Sequence, residues 1–232
     1  MRSAIEPLQQ TKYGIALHTI TRELGLAMSN FAGDTRFQVW YLERELSSQL
    51  HQYLMDFIKP QTWTDMAFIA VARGPGGFTG TRIGMVTART LGQQLGIPVF
   101  AVSTLAAVAW SSINPTPQTP SSWTQMGQGK GFSSSTIAVQ MPAQRGKIFG
   151  AIYQLTSDAS GLRVVLPDTV MTPEIWQEKL ANGNNSYHLI EATSGLAATV
   201  SSVLQLAYLD WQKGLRPNWS EAVPFYGQHP VE

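Results

Sequence analysis

The same order of predicted strands and helices occurs twice along this 232-residue chain. In the first half, strand-like runs at YGIALHT, LGLAMS and FQVWYL precede a helical pattern at residues 44–58. The strand FIAVA, a helix from about Thr79 to Leu95 and the strand PVFAV follow. In the second half, TIAVQM, KIFGAIYQL and LRVVLP precede the helix TPEIWQEKLANG, the strand YHLIEA and the helix ATVSSVLQLAYLDWQKG. A βββαβα unit is therefore predicted twice.

This repeated order limits the fold class. It predicts an α/β protein built from duplicated βββαβα ribonuclease-H-like lobes, as in the actin-like ATPase superfold. We place the N-terminal lobe at residues 1–110 and the C-terminal lobe at 136–232, and we expect the last helix to pack back on the N-terminal lobe. Residues 111–135 contain seven serines and three prolines without a period, so they are predicted to form a flexible insertion or linker.

Composition excludes several classes of function. A formal net charge of +1 with 13% charged residues provides no general attraction to nucleic acid or to anionic membranes. The absence of cysteine excludes disulfides, thiolate metal sites and cysteine nucleophiles. The first residues lack the apolar core of a signal peptide, and no apolar run is long enough to span a bilayer. We therefore expect a cytoplasmic protein without membrane contact.

The stretch VARGPGGFTGTRIG at residues 71–84 permits two interpretations. As an anion site, its glycine amides at a helix start would act together with two arginines. The stretch lacks the G-x-x-x-x-G-K-[ST] pattern of a P-loop. The weak candidates for such an anion site are Arg73, Gly76, Gly77 and Arg82.

Close packing explains more of the same stretch. Small residues recur every four positions from Gly80 through Gly84, Ala88 and Gly92, and each interior glycine costs a helix about 1 kcal/mol against alanine. A neighbouring element that approaches closely would compensate for this cost. The residues assigned to this structural motif are Gly74, Pro75, Gly76, Phe78, Thr79, Gly80 and Gly84.

Catalytic signatures are not found in the sequence. An actin-like ATPase needs acidic residues at the first hairpin of each lobe to hold Mg²⁺ near the phosphates. His18 stands at the first of these places, and the corresponding second stretch, VQMPAQRGK, has no carboxylate. The four histidines are scattered without metal-ligand spacing, and no G-x-S-x-G elbow occurs. We predict no catalytic residue, metal or cofactor.

About thirty-five consecutive positions carry a family resemblance. ARGPGGFTGTRIG and the following ARTLGQQLGIPVFAVSTLAAVA closely resemble the signature region of the TsaB (YeaZ-type) proteins. That signature reads R-G-P-G-S-F-T-G-x-R-I-G, then a helix, I-P and x-V-S-T-L. A weaker similarity to other segments of the family sequences is found in RELSSQLHQYL and AVPFYGQHP.

The resemblance implies an actin-like fold and a role in forming N6-threonylcarbamoyladenosine at position 37 of tRNA. Members of the family are regarded as the non-catalytic scaffold or activator of TsaD, a related protein that carries the metal. The implied partners are a TsaD-type protein, a TsaE-type ATPase through the complex, and tRNA only indirectly. Besides the complex with a TsaD-type protein, the resemblance leaves a homodimer open.

The departures from the family pattern concern acidic positions above all. His18-Thr19-Ile20 stands where the family has D-T-[SA], and Pro142-Ala143-Gln144 stands where it has D-A-R. Leu46 replaces the histidine of R-E-H-S, Gly77 replaces the motif serine, and PFYGQ replaces P-x-Y-L-R. These changes leave the packing glycines intact.

The resemblance also implies a partner surface on the first two helices, at residues 44–58 and 79–95. The residues assigned to this surface are Ser48, His51, Gln52, Met55, Arg82, Met85, Ala88, Arg89 and Gly92. Two other functions stay open at this point. One is an actin-like ATP-dependent enzyme such as a kinase, an ATPase or a metallopeptidase-like protein, and the other is an interaction module outside tRNA modification.

Overall fold

A computed structural model describes residues 8–124, 136–158, 160–182 and 187–227. The N-terminal lobe contains a five-stranded sheet with the order β3-β2-β1-β4-β5. β1 and β3 each pair antiparallel with β2, whereas β4 and β5 continue the sheet parallel to β1. Its elements are β1 (Tyr13–His18), β2 (Glu23–Ser29), β3 (Thr35–Tyr41), α1 (Leu46–Phe57), β4 (Met66–Ala72), α2 (Phe78–Leu95), β5 (Val99–Val102) and α3 (Thr104–Ile113).

The C-terminal lobe repeats this plan with one strand fewer. Its sheet has the order β8-β7-β6-β9, with an antiparallel meander of three strands and β9 parallel to β6. Its elements are β6 (Thr136–Pro142), β7 (Ile148–Leu155), β8 (Leu162–Met171), α5 (Pro173–Ala181), β9 (Tyr187–Glu191) and α6 (Val200–Gln212). The short helix α4 (Ser121–Thr124) precedes this lobe. The predicted duplicated βββαβα architecture is confirmed.

The last helix of each lobe packs on the sheet of the other lobe. α3 follows β5 but contacts β6, β7 and β8, whereas α6 follows β9 but contacts β1, β2, β4 and β5. The two helices also pack against each other, and Trp110 of α3 donates its indole N–H to Gln205 Oε1 of α6 at 2.7 Å. One continuous apolar core therefore contains residues from both sheets.

The helix α3 was not predicted from the sequence. Ser103 caps its first turn by accepting a hydrogen bond from the Ala106 amide at 3.2 Å. The helix is buried along most of its length, so its residues lack the polar face of an amphipathic pattern. An apolar run of this kind cannot be assigned to a helix by periodicity alone.

The prediction of a flexible insertion at residues 111–135 is wrong for the first part of this segment. Ser111 and Ser112 are buried residues of α3, so the lobe does not end at residue 110. Trp123 is 3% exposed and belongs to the core that joins the lobes. Its carbonyl lies 3.1 Å from His188 Nε2 in β9. The expected flexibility of residues 125–135 concerns a stretch outside the described residues.

None of the described helices combines the length and hydrophobicity needed to cross a membrane.

Trp123→Ala tests whether this part of the segment supports the core. We expect the free energy of unfolding to fall by about 3 kcal/mol, because removing a buried indole leaves a cavity between the lobes. Urea unfolding measures the effect, and Ser122→Ala, at an exposed position in the same helix, is the control. Equal stability of the two variants would contradict a core role for Trp123.

Candidate functional site

The glycine-rich loop between β4 and α2 is held from two sides by backbone hydrogen bonds. The Arg73 amide donates to Val102 O at 2.9 Å, and Gly74 O accepts from the Thr104 amide at 2.9 Å. On the other side, the Phe225 amide donates to Arg73 O at 2.7 Å. Gly74 has a φ of 100°, and a Cβ there would lie 2.5 Å from Phe225 O. Glycine is required at this position for both reasons.

The start of α2 lies directly on the turn that follows β1. A Cβ on Gly80 would be 1.9 Å from Thr19 O, and one on Gly84 would be 2.1 Å from Thr19 Oγ1. The Thr19 hydroxyl donates to Gly80 O at 2.8 Å, and the Gly77 amide donates to Ile20 O at 2.8 Å. The glycines at positions 80 and 84 therefore allow a helix and a turn to approach each other more closely than side chains would permit.

The other residues of the loop motif have separate surroundings. Pro75 is buried, and a Cβ on Gly76 would lie 2.6 Å from Ile20 Cδ1. Thr79 is exposed, while Phe78 is 38% exposed and packs against Tyr226 in a tilted arrangement with the ring centroids 4.7 Å apart.

The four anion-site candidates have other partners in the structure. Arg73 Nη2 lies 3.6 Å from Asp168 Oδ2, and the Arg82 guanidinium lies over the Phe78 ring at 4.5 Å. Gly76 packs on Ile20, and the Gly77 amide is already hydrogen-bonded to Ile20. The loop geometry therefore serves contacts within the chain at all four candidates.

His18, at the place of the first family aspartate, is completely buried. Neither ring nitrogen has a hydrogen-bond partner among the described residues. Burial lowers the pKa of His18 to about 3, so the imidazole is neutral at physiological pH. His18 therefore fills space at the end of β1 and brings no charge to the turn.

A buried carboxylate joins the two lobes on the other side of the loop. Asp168 of β8 has a side chain that is 2% exposed, and its Oδ1 accepts from Ser103 Oγ at 2.8 Å and from Tyr153 Oη at 2.9 Å. Burial, and then the charge of Asp168, raises the pKa of Tyr153 well above its usual value, so this hydroxyl stays protonated and donates. With Arg73, these residues line a cavity of about 670 Å³ between the lobes. No sequence motif pointed to this cluster, because its members lie far apart in the chain.

The residues assigned to a partner surface divide into two groups in the structure. Along α1 and at the start of α2, the accessible members are Ser48, His51, Gln52, Met55 and Arg82. Met55 is 55% exposed, and Arg89 is half-buried. Val86, one turn beyond Arg82, is 63% exposed and was missed, although its place on the outer side of the helix follows from the glycine spacing.

Three of the assigned residues are covered by the chain itself. Met85 and Ala88 are 2% and 0% exposed and belong to the core shared with α1. Gly92 is buried, and a Cβ there would lie 2.2 Å from Val99 Cγ2 and 3.3 Å from Trp219 Cβ. The chain after α6 returns to α2 through the short helix Trp219–Glu221. The assignment of Met85, Ala88 and Gly92 to a partner surface is therefore wrong, because the chain's own segments cover them.

Gly84→Ala and Thr19→Ala test the close approach. We expect Gly84→Ala to lower the free energy of unfolding by about 1 kcal/mol or more, since overpacking outweighs the gain in helix propensity. In the double variant the Thr19 hydroxyl is gone, so the cost should be smaller than the sum of the two single costs. Urea unfolding of the four proteins gives this coupling energy. Strict additivity would mean that the two residues do not compete for space.

The burial of His18 predicts that the protein loses stability as the pH falls. Its folded pKa lies below the ordinary value of about 6.5, so the unfolded chain binds an additional proton as the pH falls from about 6.5 toward 3. Between pH 7.5 and 5.5, wild type should lose about 1 kcal/mol more stability than His18→Leu. The exposed His51→Leu variant is the matched control and should keep the wild-type slope. Parallel slopes for all three proteins in urea unfolding would contradict a neutral buried imidazole.

Comparisons with known proteins agree with this architecture. A family model described as TsaD: tRNA N6-adenosine threonylcarbamoyltransferase matches residues 46–125. The chain is 30% identical over 171 residues to the Bacillus subtilis (strain 168) tRNA threonylcarbamoyladenosine biosynthesis protein TsaB, a match covering 72% of this chain and 65% of the relative. The Escherichia coli (strain K12) protein of the same description is 26% identical over 169 residues, with the same coverage of both chains. The matched part thus spans slightly less than two thirds of these relatives.

Solved structures show the same fold over nearly the whole chain. A Pseudomonas aeruginosa protein described as similar to peptidase YEAZ has a TM-score of 0.71 at 21% identity, covering 94% of this chain and all of that one. The structure described as YeaZ from Pseudomonas aeruginosa has a TM-score of 0.69 at 21% identity and covers 93% of this chain and 99% of that one. The sequence matches and the shared fold together support a TsaB/YeaZ-type protein.

Proposed function

We propose that this chain is a non-catalytic scaffold of the complex that forms N6-threonylcarbamoyladenosine in tRNA. It acts by binding a TsaD-type catalytic protein, with a TsaE-type ATPase joining through the complex and tRNA contacted only indirectly. Its place of action is the cytoplasm. The similarity to the Bacillus and Escherichia TsaB proteins supports the pathway, and the match to the TsaD family model supports the partner.

The observation that carries the proposal is an accessible surface on α1 and α2. Met55 and Val86 are large apolar side chains, each more than half exposed, on neighbouring helices of one face of the sheet. On the same two helices, Ser48, His51 and Arg82 are exposed polar side chains. Exposed apolar side chains accompanied by polar ones are the usual composition of a protein–protein interface. We refer to this set of residues as the α1–α2 surface.

The surroundings of His18 and Thr19, at the end of β1, favour a scaffold function over that of an ATP-dependent enzyme. In a nucleotide-binding protein of this fold, the turn after β1 must accept phosphate and an acidic ligand must face Mg²⁺. Here the Thr19 hydroxyl is hydrogen-bonded to Gly80 O, and the neutral imidazole of His18 is fully buried. The Thr19 hydroxyl is thus engaged within the fold and the His18 ring is covered, so neither side chain is accessible to a ligand.

Met55→Asp tests the surface with little risk to the fold. We expect the dissociation constant for the purified TsaD-type protein of the same organism to rise at least tenfold, because a carboxylate would be desolvated in an apolar contact. Val164→Asp is the matched control, since Val164 is also 55% exposed but lies on β8 of the other lobe. Isothermal titration calorimetry measures the affinities, and circular dichroism checks folding.

A reconstitution experiment distinguishes a scaffold function from an enzymatic one. With threonylcarbamoyl-AMP and tRNA, the modified nucleoside should form only when the TsaD-type protein is present, and Met55→Asp should reduce its yield. Turnover by this chain alone at the rate of the complex would overturn the non-catalytic role. Equal affinity of wild type and folded Met55→Asp would remove the α1–α2 surface from consideration.

A further inference from the structure

The cavity between the lobes lies where the two sheets have free edges. β5 ends the N-terminal sheet and β8 ends the C-terminal sheet, and both strands line this cavity of about 670 Å³ together with the second half of α6. The turn after β1 and its counterpart at residues 142–147 contribute none of the described lining residues. The cavity is therefore separate from those two turns, and its volume lies in the range of small-molecule sites.

Two buried polar atoms at the wall of this cavity lack a hydrogen-bond partner. Asp168 Oδ1 accepts from Ser103 and Tyr153, whereas Asp168 Oδ2 has no hydrogen-bond partner among the described residues, although the side chain is only 2% exposed. Arg73 Nη2 stands 3.6 Å from Oδ2, which is longer than a hydrogen bond. Arg73 Nε is also buried and unpaired within the described parts of the chain. An unpaired acceptor and an unpaired donor thus belong to two side chains that contact each other.

The contact between Arg73 and Asp168 can open without loss of a hydrogen bond. Asp168 Oδ2 has no surface accessible to solvent while the guanidinium stands beside it, but the Arg73 side chain is 37% exposed. A rotation of this side chain gives up only a charge contact at 3.6 Å. Burial of unpaired polar atoms is unfavourable, so a group that supplies both missing hydrogen bonds would be stabilised at this position.

The remaining charges at the cavity are already engaged within the chain. Asp210 and Lys213 pair at 2.9 Å, and the Arg216 guanidinium lies over the Trp211 ring at 3.3 Å. The Glu221 carboxylate accepts from the backbone amide that precedes its own short helix at 2.8 Å. Most other lining side chains are apolar, including leucines of β8 and α6. Arg73 and Asp168 therefore determine which charge the interior of the cavity accepts.

We propose that this cavity binds a neutral small molecule with an apolar body and a carboxamide-type head, in which an N–H donor stands beside a carbonyl acceptor. The N–H would donate to Asp168 Oδ2 and the carbonyl would accept from Arg73 Nε, so both unpaired atoms would gain a partner. An anion would be attracted by Arg73 and repelled by Asp168, and a cation would experience the reverse. The two opposite charges in contact thus select a neutral head. This inference goes beyond the proposed function and does not depend on it.

Three fragments of nearly equal shape test the inference on the full chain. Benzamide carries both a donor and an acceptor, benzoate carries only acceptors, and benzamidinium carries only donors. We expect wild type to bind benzamide with a dissociation constant of about 1 mM and each charged fragment about tenfold more weakly. Titration followed by ¹H–¹⁵N NMR measures the constants, and the shifted amides should include those of Ser103, Leu162 and Asp168. Absence of benzamide binding, equal or tighter binding of a charged fragment, or shifts confined to other parts of the chain would overturn the inference.

Asp168→Asn exchanges the unpaired acceptor for a donor. The two hydroxyls that donate to Oδ1 would keep the amide oxygen on their side, so the new NH₂ group would take the place of Oδ2. The site would then offer only donors, and its preference should change from benzamide to benzoate. Asp158→Asn removes the same charge at an exposed position of the same lobe and should keep the wild-type order of affinities.

The outcome of this exchange is decided on folded protein. Circular dichroism checks both variants, and the wild-type order of affinities in folded Asp168→Asn would contradict the proposed site. If Asp168→Asn does not fold, Arg73→Lys replaces it, because lysine keeps the charge and lacks the Nε donor. Arg73→Lys should weaken benzamide binding about fivefold, and unchanged affinity would overturn the inference. No TsaD-type protein enters these measurements, so their failure leaves the proposed function standing.

Discussion

The exchange of α3 and α6 between the two lobes is the interaction on which the rest of the structure depends. Each helix follows one sheet in the chain and covers the other, so neither lobe completes its core with its own residues. The buried residues between them form one cluster that includes Phe68 of β4 and Phe149 of β7. A shared core of this kind makes independent folding of the lobes unfavourable and fixes their relative orientation. The cluster around Asp168 adds hydrogen bonds across the same junction.

Close contact between α2 and the turn after β1 is a second constraint on the structure. Gly80 and Gly84 bring α2 against Thr19, and the Thr19 hydroxyl is hydrogen-bonded to the helix. His18 beneath it is neutral and buried. The substitution of aspartate by histidine therefore has a structural consequence, since an ionised carboxylate at a site with no polar partner would be strongly destabilising.

The sequence predicted the repeated architecture because most elements have one buried face with a regular period. The predictions failed where burial is complete or where distant segments meet. α3 has apolar residues on most of its surface, so its period is weak, and Trp123 lies in a serine- and proline-rich stretch whose composition suggests exposure. Ala88 and Gly92 were assigned to an outer flank because nothing local reveals that residues 219–222 cover it. The Asp168 cluster joins four segments and has no local pattern.

The same returning segment also connects the α1–α2 surface to the body of the protein. Arg89 lies over the Trp219 ring, and Tyr226 packs against Phe78, whose ring also contacts Arg82. Between them, Phe225 hydrogen-bonds to Arg73 O and packs against Phe149 of the C-terminal lobe. Because Arg73 also pairs with Asp168, the segment that orients Arg82 and Arg89 is linked through Phe225 to the residues that hold the lobes together. A shift of Tyr226 or Trp219 would therefore act on contacts that continue into the inter-lobe junction, so the outer side of α2 is physically connected to the shared core.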